Sequence, residues 1–496
     1  MEDPYVPHPR REPRYPGPLD LAHLRPVFAD CVDYKEREVA LEGTTLTLCY
    51  LEGMAKTERF NDYILKPLAQ DGDLYGLGPE ALQKALVGGS LYNLAVTPSH
   101  SLDGAALALV NGSCALFCPG VPGCLLIPVP TEEKRSIGQP ENEPSLKGGR
   151  DSFVESLRTN TSLVRRRLRA PELKVREQLL GRRSLTPVDV LYLDGIADPK
   201  AVGLVEERLE AVDVDGLTAA GDLEEYLSGD PVTSFPLLAS TQRPDRFCRG
   251  LLEGRVGLLC EGLPLGWLLP GTFDLHFHTG QDRAYHWLPA TALRLLRYLC
   301  ALVTLVLPGL YIALVTYHQE AIPVKLALSI ARAKQEVPFS TIFEVLTMLL
   351  AFEVVQEAGL RFPGPVGATV SILGGLVVGN AAVEAHIVSP AVLIAVALAG
   401  VAGYTVPGQD MSNALRLWRF VLAVVASLGG LYGLSAGLAW LILHLASLES
   451  FGVPYLAPFT AGAGVHLSTP ALWRPPLPWC KWRSGASNTQ NRRDQK

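Results

Sequence analysis

The sequence predicts an α/β soluble region made of two related units, followed by an all-α polytopic transmembrane domain. Three observations predict it. Charge is unevenly spread: residues 1–297 carry 73 Asp, Glu, Lys or Arg, whereas residues 298–450 carry 14. An ionised side chain at a bilayer centre costs at least about 2.5–3.5 kcal/mol, so the first part suits water and the second suits lipid. The soluble part also repeats itself. "YLEGMA" (50–55) returns as "YLDGIA" (192–197), and "GSCALFCPGVPGCLLIP" (112–128) as "GRVGLLCEGLPLGWLLP" (254–270). Both matches lie at an offset of 142, and the longer one keeps seven of seventeen positions. Finally, "YLCALVTLVLPGLYIALVTY" (298–317) is free of charge and long enough to cross ~30 Å of hydrocarbon.

The elements follow in order. Residues 1–39 open with a proline-rich stretch that has no apolar core; it is neither a signal peptide nor a span, and it reads as a disordered tail. Residues 40–130 and 185–287 are the two α/β units. Each starts with a β-rich run ending in an acidic residue and Gly, continues through a helical segment, and closes with two strands turning at C-x-G-x-P. The glycines match no phosphate-binding fingerprint, so they are read as turns. Between the units, residues 131–184 form a basic linker. Phe153, Leu157, Val164 and Leu168 recur there at helical spacing, which gives an amphipathic helix with Arg158, Arg165, Arg166, Arg167 and Arg169 as a basic contact face. That face suits solvent or a neighbouring subunit first and anionic headgroups second. It lacks the stacking aromatics that nucleic acid would call for.

Residues 288–450 are the transmembrane helical domain, with Arg294 and Arg297 preceding the first span. Residues 366–384, 387–406 and 420–446 give further candidates, the last glycine-rich enough to predict a tilt or break. Residues 337–358 are apolar but contain Glu344, Glu353 and Glu357, which fits a re-entrant helix or a span facing water. Four spans keep the basic 451–496 tail inside but place Arg416 and Arg419 outside; five do the reverse. At 100° per residue, Gly367, Ser371, Gly375 and Gly379 form a small-residue stripe for close helix packing. Val370, Leu373, Val377, Asn380 and Glu384 lie on the opposite face, apolar along most of its length and polar at its end. They are candidate pore-lining residues, with the polar pair at a wet mouth; a helix ending at headgroup depth is the alternative.

Nine scattered cysteines without C-x-x-C or zinc spacing suit a reducing compartment. "DLHFH" (274–278) places Asp274, His276 and His278 on one face if it is a strand, but such residues more often form a wet edge than a metal site. No catalytic constellation stands out. The expectation is a non-enzyme with no cofactor and no metal.

Several long ordered stretches carry a resemblance: "YLEGMAKTERFNDYILKPL" (50–68), "ESLRTNTSLVRRRLRAPELKV" (155–175), "RYLCALVTLVLPGLYIALVTYHQEAIP" (297–323), "GGLVVGNAAVEAHIVSPAVLIAVAL" (374–398) and "LHLASLESFGVPYLAPF" (443–459). The chain resembles, over roughly 40–475, the A subunit of the GerA-type spore germinant receptors of endospore-forming bacteria. The SpoVAF-type relative shares the architecture but matches "YHQEAIP" less well. The resemblance implies a multi-pass protein of the spore inner membrane, with its N-terminal domain on the cytoplasmic (core) side. It also implies a homo-oligomer forming a nutrient-gated cation channel, with a transporter-like B subunit, a lipoprotein C subunit and membrane lipid as partners, and no nucleic acid. A non-conducting scaffold is the rival. Two departures stand out: "TFDLHFHTGQDRAYHW" (272–287) replaces a stretch usually richer in aromatic and acidic residues, and position 384 is often neutral in relatives.

Overall fold

The computed structural model describes residues 15–41, 44–55, 61–70, 74, 77–90, 95–130, 143, 147–361, 377, 379–459, 471–479, 483, 489–491 and 493. They divide into two compact units. One combines Met1–Gly229, Leu238–Pro270 and Lys481–Lys496; the other combines Asp230–Leu237 and Gly271–Cys480.

The first unit begins with α1 (Leu21–Val27), capped by Asp20, whose carboxylate accepts from the His23 amide at 2.7 Å. The disordered tail expected over 1–39 is thus corrected from Leu21 onward. Leu24, Val27 and Phe28 are buried, so this segment has enough apolar surface to pay for its ordering. Strands β1 (Tyr34–Leu41), β2 (Thr44–Leu51), β3 (Thr97–Ser99), β4 (Ser113–Phe117) and β5 (Cys124–Pro128) form an antiparallel sheet in the order β1-β2-β4-β5-β3. Helices α2 (Lys66–Gln70), α3 (Pro79–Ala85) and α4 (Leu102–Val110) complete this half. Apolar clusters cover both sheet faces, Leu109 with Leu126 on one and Leu68 with Leu116 on the other. That is why β4 is buried along its whole length.

The second half repeats this plan. After α5 (Leu157–Arg167) come β6 (Leu173–Leu180), β7 (Thr186–Leu193), α6 (Pro199–Glu210), α7 (Ala220–Ser228), β8 (Ala239–Thr241), α8 (Pro244–Leu252), β9 (Val256–Cys260) and β10 (Gly266–Leu269). The sheet order is β6-β7-β9-β10-β8, the same path as the first. Strands β2 and β7, β3 and β8, and helices α4 and α8 start and end 142 residues apart. The offset seen in the sequence is therefore an offset of whole elements. The two halves are joined by backbone: Val32 N donates to Val175 O at 2.9 Å and Val175 N to Asp30 O at 3.1 Å, so residues 30–32 occupy the outer edge of β6.

The other unit is mainly helical: α9 (Trp287–Thr316), α10 (Val324–Gln335), α11 (Thr341–Arg361), α12 (Pro390–Gly403) and α13 (Gln409–Ser447). Among the described residues, α9 and α13 are the helices long and apolar enough to cross a membrane. Helix α9 runs unbroken through Pro308, and α12 is a shorter apolar helix. Helix α13 is not one rod. Gly430 has φ 60 and ψ −137, outside the helical region. A Cβ on Gly433 would lie 2.3 Å from Val425 O, and one on Gly437 2.7 Å from Leu422 Cδ2. Trp418 and Trp440 meet at 5.1 Å between ring centroids. Residues twenty-two apart along a straight helix would be roughly 33 Å apart. Residues 409–429 and 431–447 are therefore two antiparallel arms of a hairpin, and the Gly-x-x-x-Gly pair at 433 and 437 lets their backbones close together. The tilt or break expected over 420–446 is a complete reversal.

The tail expected from 451 onward is also partly built into this unit. Phe451, Val453 and Tyr455 are buried, and Tyr455 O accepts from Phe273 N at 2.9 Å.

Candidate functional site

Helix α5 carries the predicted basic face, and the structure distributes its arginines unequally. Arg165 is completely buried and is clamped to Asp33, with Nη2 2.7 Å from Oδ1 and a second, shorter bond from Nε. Its Nη1 donates to Leu173 O at 3.2 Å. Placing Arg165 on a contact face is thus corrected: Asp33, at the start of β1, neutralises it inside the fold. Arg158 joins Glu177 and Asp189, and Arg167 joins Asp151, with Nη2 2.5 Å from Oδ2. Arg166 is half-buried, and Arg169 is exposed and donates to Arg166 O at 3.2 Å. The helix is a wedge between the two α/β halves. At Gly53 (φ +80) a Cβ would meet Arg158 O at 3.2 Å, a close approach that only glycine permits. Asp189 is fully buried, accepting from Thr161 Oγ1 at 2.8 Å and Arg158 Nη1 at 3.3 Å. Burial pushes its carboxyl up to about 7 despite the opposing guanidinium.

In the helical unit, the three glutamates of α11 have distinct settings. Glu344 is buried and accepts from Ser389 N at 2.9 Å, which ties α11 to the start of α12. Glu353 binds Arg419 and lies 3.7 Å from Arg416, both on the first arm of α13. Glu357 is exposed. Arg294 and Arg297, the residues that flank the first apolar run, do not point at solvent. Arg297 Nη1 donates to Asp282 Oδ1 at 2.8 Å and Arg294 Nη2 to Oδ2 at 3.3 Å. Thr279 N and Oγ1 complete the shell at 3.2 and 2.9 Å. Burial alone would raise the Asp282 carboxyl, but the two guanidiniums hold it below its usual range. The "DLHFH" segment is a 3₁₀ turn (Phe273–Phe277), not a strand, with Asp274 and His276 buried. His278 Nε2 is 3.0 Å from Ala471 O. Among the described residues no His, Cys, Asp and Glu group is arranged to hold a metal.

Of the 366–384 face residues, Gly367, Val370, Ser371, Leu373 and Gly375 lie outside the described residues. Gly379 is buried, and a Cβ there would meet Leu393 Cδ1 at 3.2 Å. Val377 is 60% exposed, and Asn380 and Glu384 are exposed.

Comparison with known proteins decides the family. The model of the Bacillus/Clostridium GerA spore germination protein matches residues 22–486. The chain belongs to the GerA family. Among GerA-type relatives, spore germination protein KA of Bacillus subtilis (strain 168) is 36% identical over 93% of this chain and 84% of its own. Spore germination protein GerLA of Bacillus cereus is 32% identical over 88% of this chain and 89% of its own. The uncharacterized membrane protein YfkQ of Bacillus subtilis is 38% identical over 88% and 85%. A crystal structure of the N-terminal domain of the A subunit of the Bacillus megaterium spore germinant receptor GerK3 aligns with TM-score 0.40 and 26% identity, over 51% of this chain and 94% of that one.

Asp33, Asp189 and Asp282 were not singled out in the sequence. Each is the counter-charge of an arginine that was, from 12 to 132 residues away. The one sequence signal for them is that an arginine on an apolar helix face needs a partner.

Proposed function

We propose that this GerA-family chain is the membrane subunit of a nutrient-responsive spore germination receptor, non-enzymatic, and that copies of it assemble into a gated cation channel. The observation that carries this reading is the split face around Gly379: the glycine is packed on Leu393 while Val377, Asn380 and Glu384 are exposed. In an oligomer, Glu384 would recur around an axis and concentrate cations, with Val370, Leu373 and Val377 as an apolar constriction. A B subunit and a lipoprotein C subunit are the partners in this reading. The test is reaction of single cysteines with a water-soluble thiol reagent in the assembled membrane protein. Labelling at 377, 380 and 384 with protection at 379 is expected; protection at 380 and 384 together sinks the pore assignment.

A multi-pass topology in the spore inner membrane belongs to the same proposal. Its support is the helix directions. Tyr317 OH donates to Ser427 O at 2.7 Å, so the end of α9 lies beside the α13 turn. Helix α11 starts beside Ser389 and reaches Gly400 through Phe352, so α11 and α12 run the same way. The crossings in this reading are α9, α11, the 366–384 span expected from the sequence, α12 and both arms of α13, six in all. In this reading an even number would place Arg416, Arg419 and both ends of the chain on the cytoplasmic side. Exposed Leu302, Leu350, Leu398 and Leu443 on these helices suit lipid or a neighbouring subunit.

A further inference from the structure

The helical unit forms a half-open cavity of about 550 Å³ where the end of α9, helix α10 and the start of α11 meet. The size falls within the ~300–1,000 Å³ of small-molecule sites. Ile312, Ile330 and Ile342 supply aliphatic wall, and Lys334, Ser340 and Ser427 supply polar groups. Helix α10 forms one side while burying none of its own residues. Its Val324, Lys325, Leu328 and Arg332 are exposed on the side away from the cavity-lining Ala327, Ile330 and Lys334.

Lys334 is the chemically distinctive wall residue. Its side chain is 32% exposed, and Glu344 Oε1 lies 4.0 Å from Nζ. That distance gives attraction without a hydrogen bond. Among the described residues the ammonium has no closer partner, so its three donors are available to a ligand. A small polar solute would leave the isoleucines in contact with water. A wholly apolar one would desolvate the ammonium and the Ser340 hydroxyl without compensation.

We propose that this cavity binds an anionic amphiphile, its aliphatic chain among the isoleucines and its carboxylate or phosphate head accepting hydrogen bonds from Lys334 and the hydroxyl of Ser340. The proposal rests on the membrane placement of the helical unit, which carbonate extraction of membranes tests separately.

The experiment uses the full chain in phosphatidylcholine nanodiscs doped with one of three photo-crosslinking probes: palmitate, phosphatidylglycerol or phosphatidylcholine. Crosslinked peptides are mapped by mass spectrometry. One anionic probe is expected to label α10 or the start of α11 well above the phosphatidylcholine probe, and whichever does so identifies the source as free fatty acid or lipid. Lys334→Gln should lower that labelling roughly tenfold, the worth of one charge-assisted hydrogen bond, and Lys334→Arg should keep it. Ala331→Trp, which fills the cavity, should abolish it, and Leu328→Trp on the outer side should not. Equal labelling by all three probes overturns the proposal, as does labelling that Lys334→Gln leaves unchanged in a preparation whose size-exclusion profile matches wild type.

Discussion

At Asp189 burial and a neighbouring guanidinium pull in opposite directions, and burial prevails, holding the carboxyl near 7 against a normal 3.8. Because the folded value is the higher one, the fold binds this proton more tightly than the unfolded chain does. The group's contribution is complete below about pH 4 and is lost as pH rises through about 7. Between pH 5 and 8 that amounts to about 2–3 kcal/mol. Asp189→Asn should remove this slope, which urea unfolding of the full protein at several pH values will read; an unchanged slope refutes the assignment. Arg165 and Asp33 make the complementary case: both are ordered and buried, so deleting either leaves an uncompensated charge. At this scale the sequence was partly legible. The helical spacing of Leu157 and Val164 correctly marked the buried side of α5. It did not reveal that Arg165 lies on that same buried side, because the aspartate that permits it is 132 residues away.

At the scale of elements, the repeat was fully legible because identical residues at one offset imply one fold, and the matching strand orders follow from it. The α13 hairpin was only half legible. A run of glycines signals a break but not its angle, which depends on whether the two arms can meet. Gly433 and Gly437 are what allow them to. Gly433→Val should therefore disrupt the hairpin, since even a Cβ would sit 2.3 Å from Val425 O, whereas Gly429→Val meets nothing within 4 Å. Thermal unfolding in detergent should show Gly433→Val well below wild type and Gly429→Val much nearer to it. Equal stability of the two variants would mean that the arms are not packed as described. The glutamates of α11 were the hardest to read. An acid in an apolar run fits both a water path and a buried pair, and only the position of Arg419 against Glu353 separates the two.

For the whole molecule, a six-crossing topology predicts which loops face outward. Cysteines placed at Gln319 and Leu428 should react with an impermeant reagent from the outside of intact cells. Cysteines at Ser184 and Arg483 should react only after permeabilisation. Outside labelling at Arg483 would restore an odd number of crossings. The division into a charged and an apolar half was visible from composition alone, because the bilayer penalty acts residue by residue. The reversal within 409–447 was not, because both arms share one continuous apolar run. The central claim, that this GerA-family subunit conducts cations, is tested most directly by reconstituting the purified full-length protein in potassium-loaded liposomes and recording potassium release. The account predicts release above empty liposomes that rises when Val377 is replaced by Ser and loses cation preference with Glu384→Gln. Release indistinguishable from empty liposomes for both the wild type and Val377→Ser would contradict the channel and favour the scaffold.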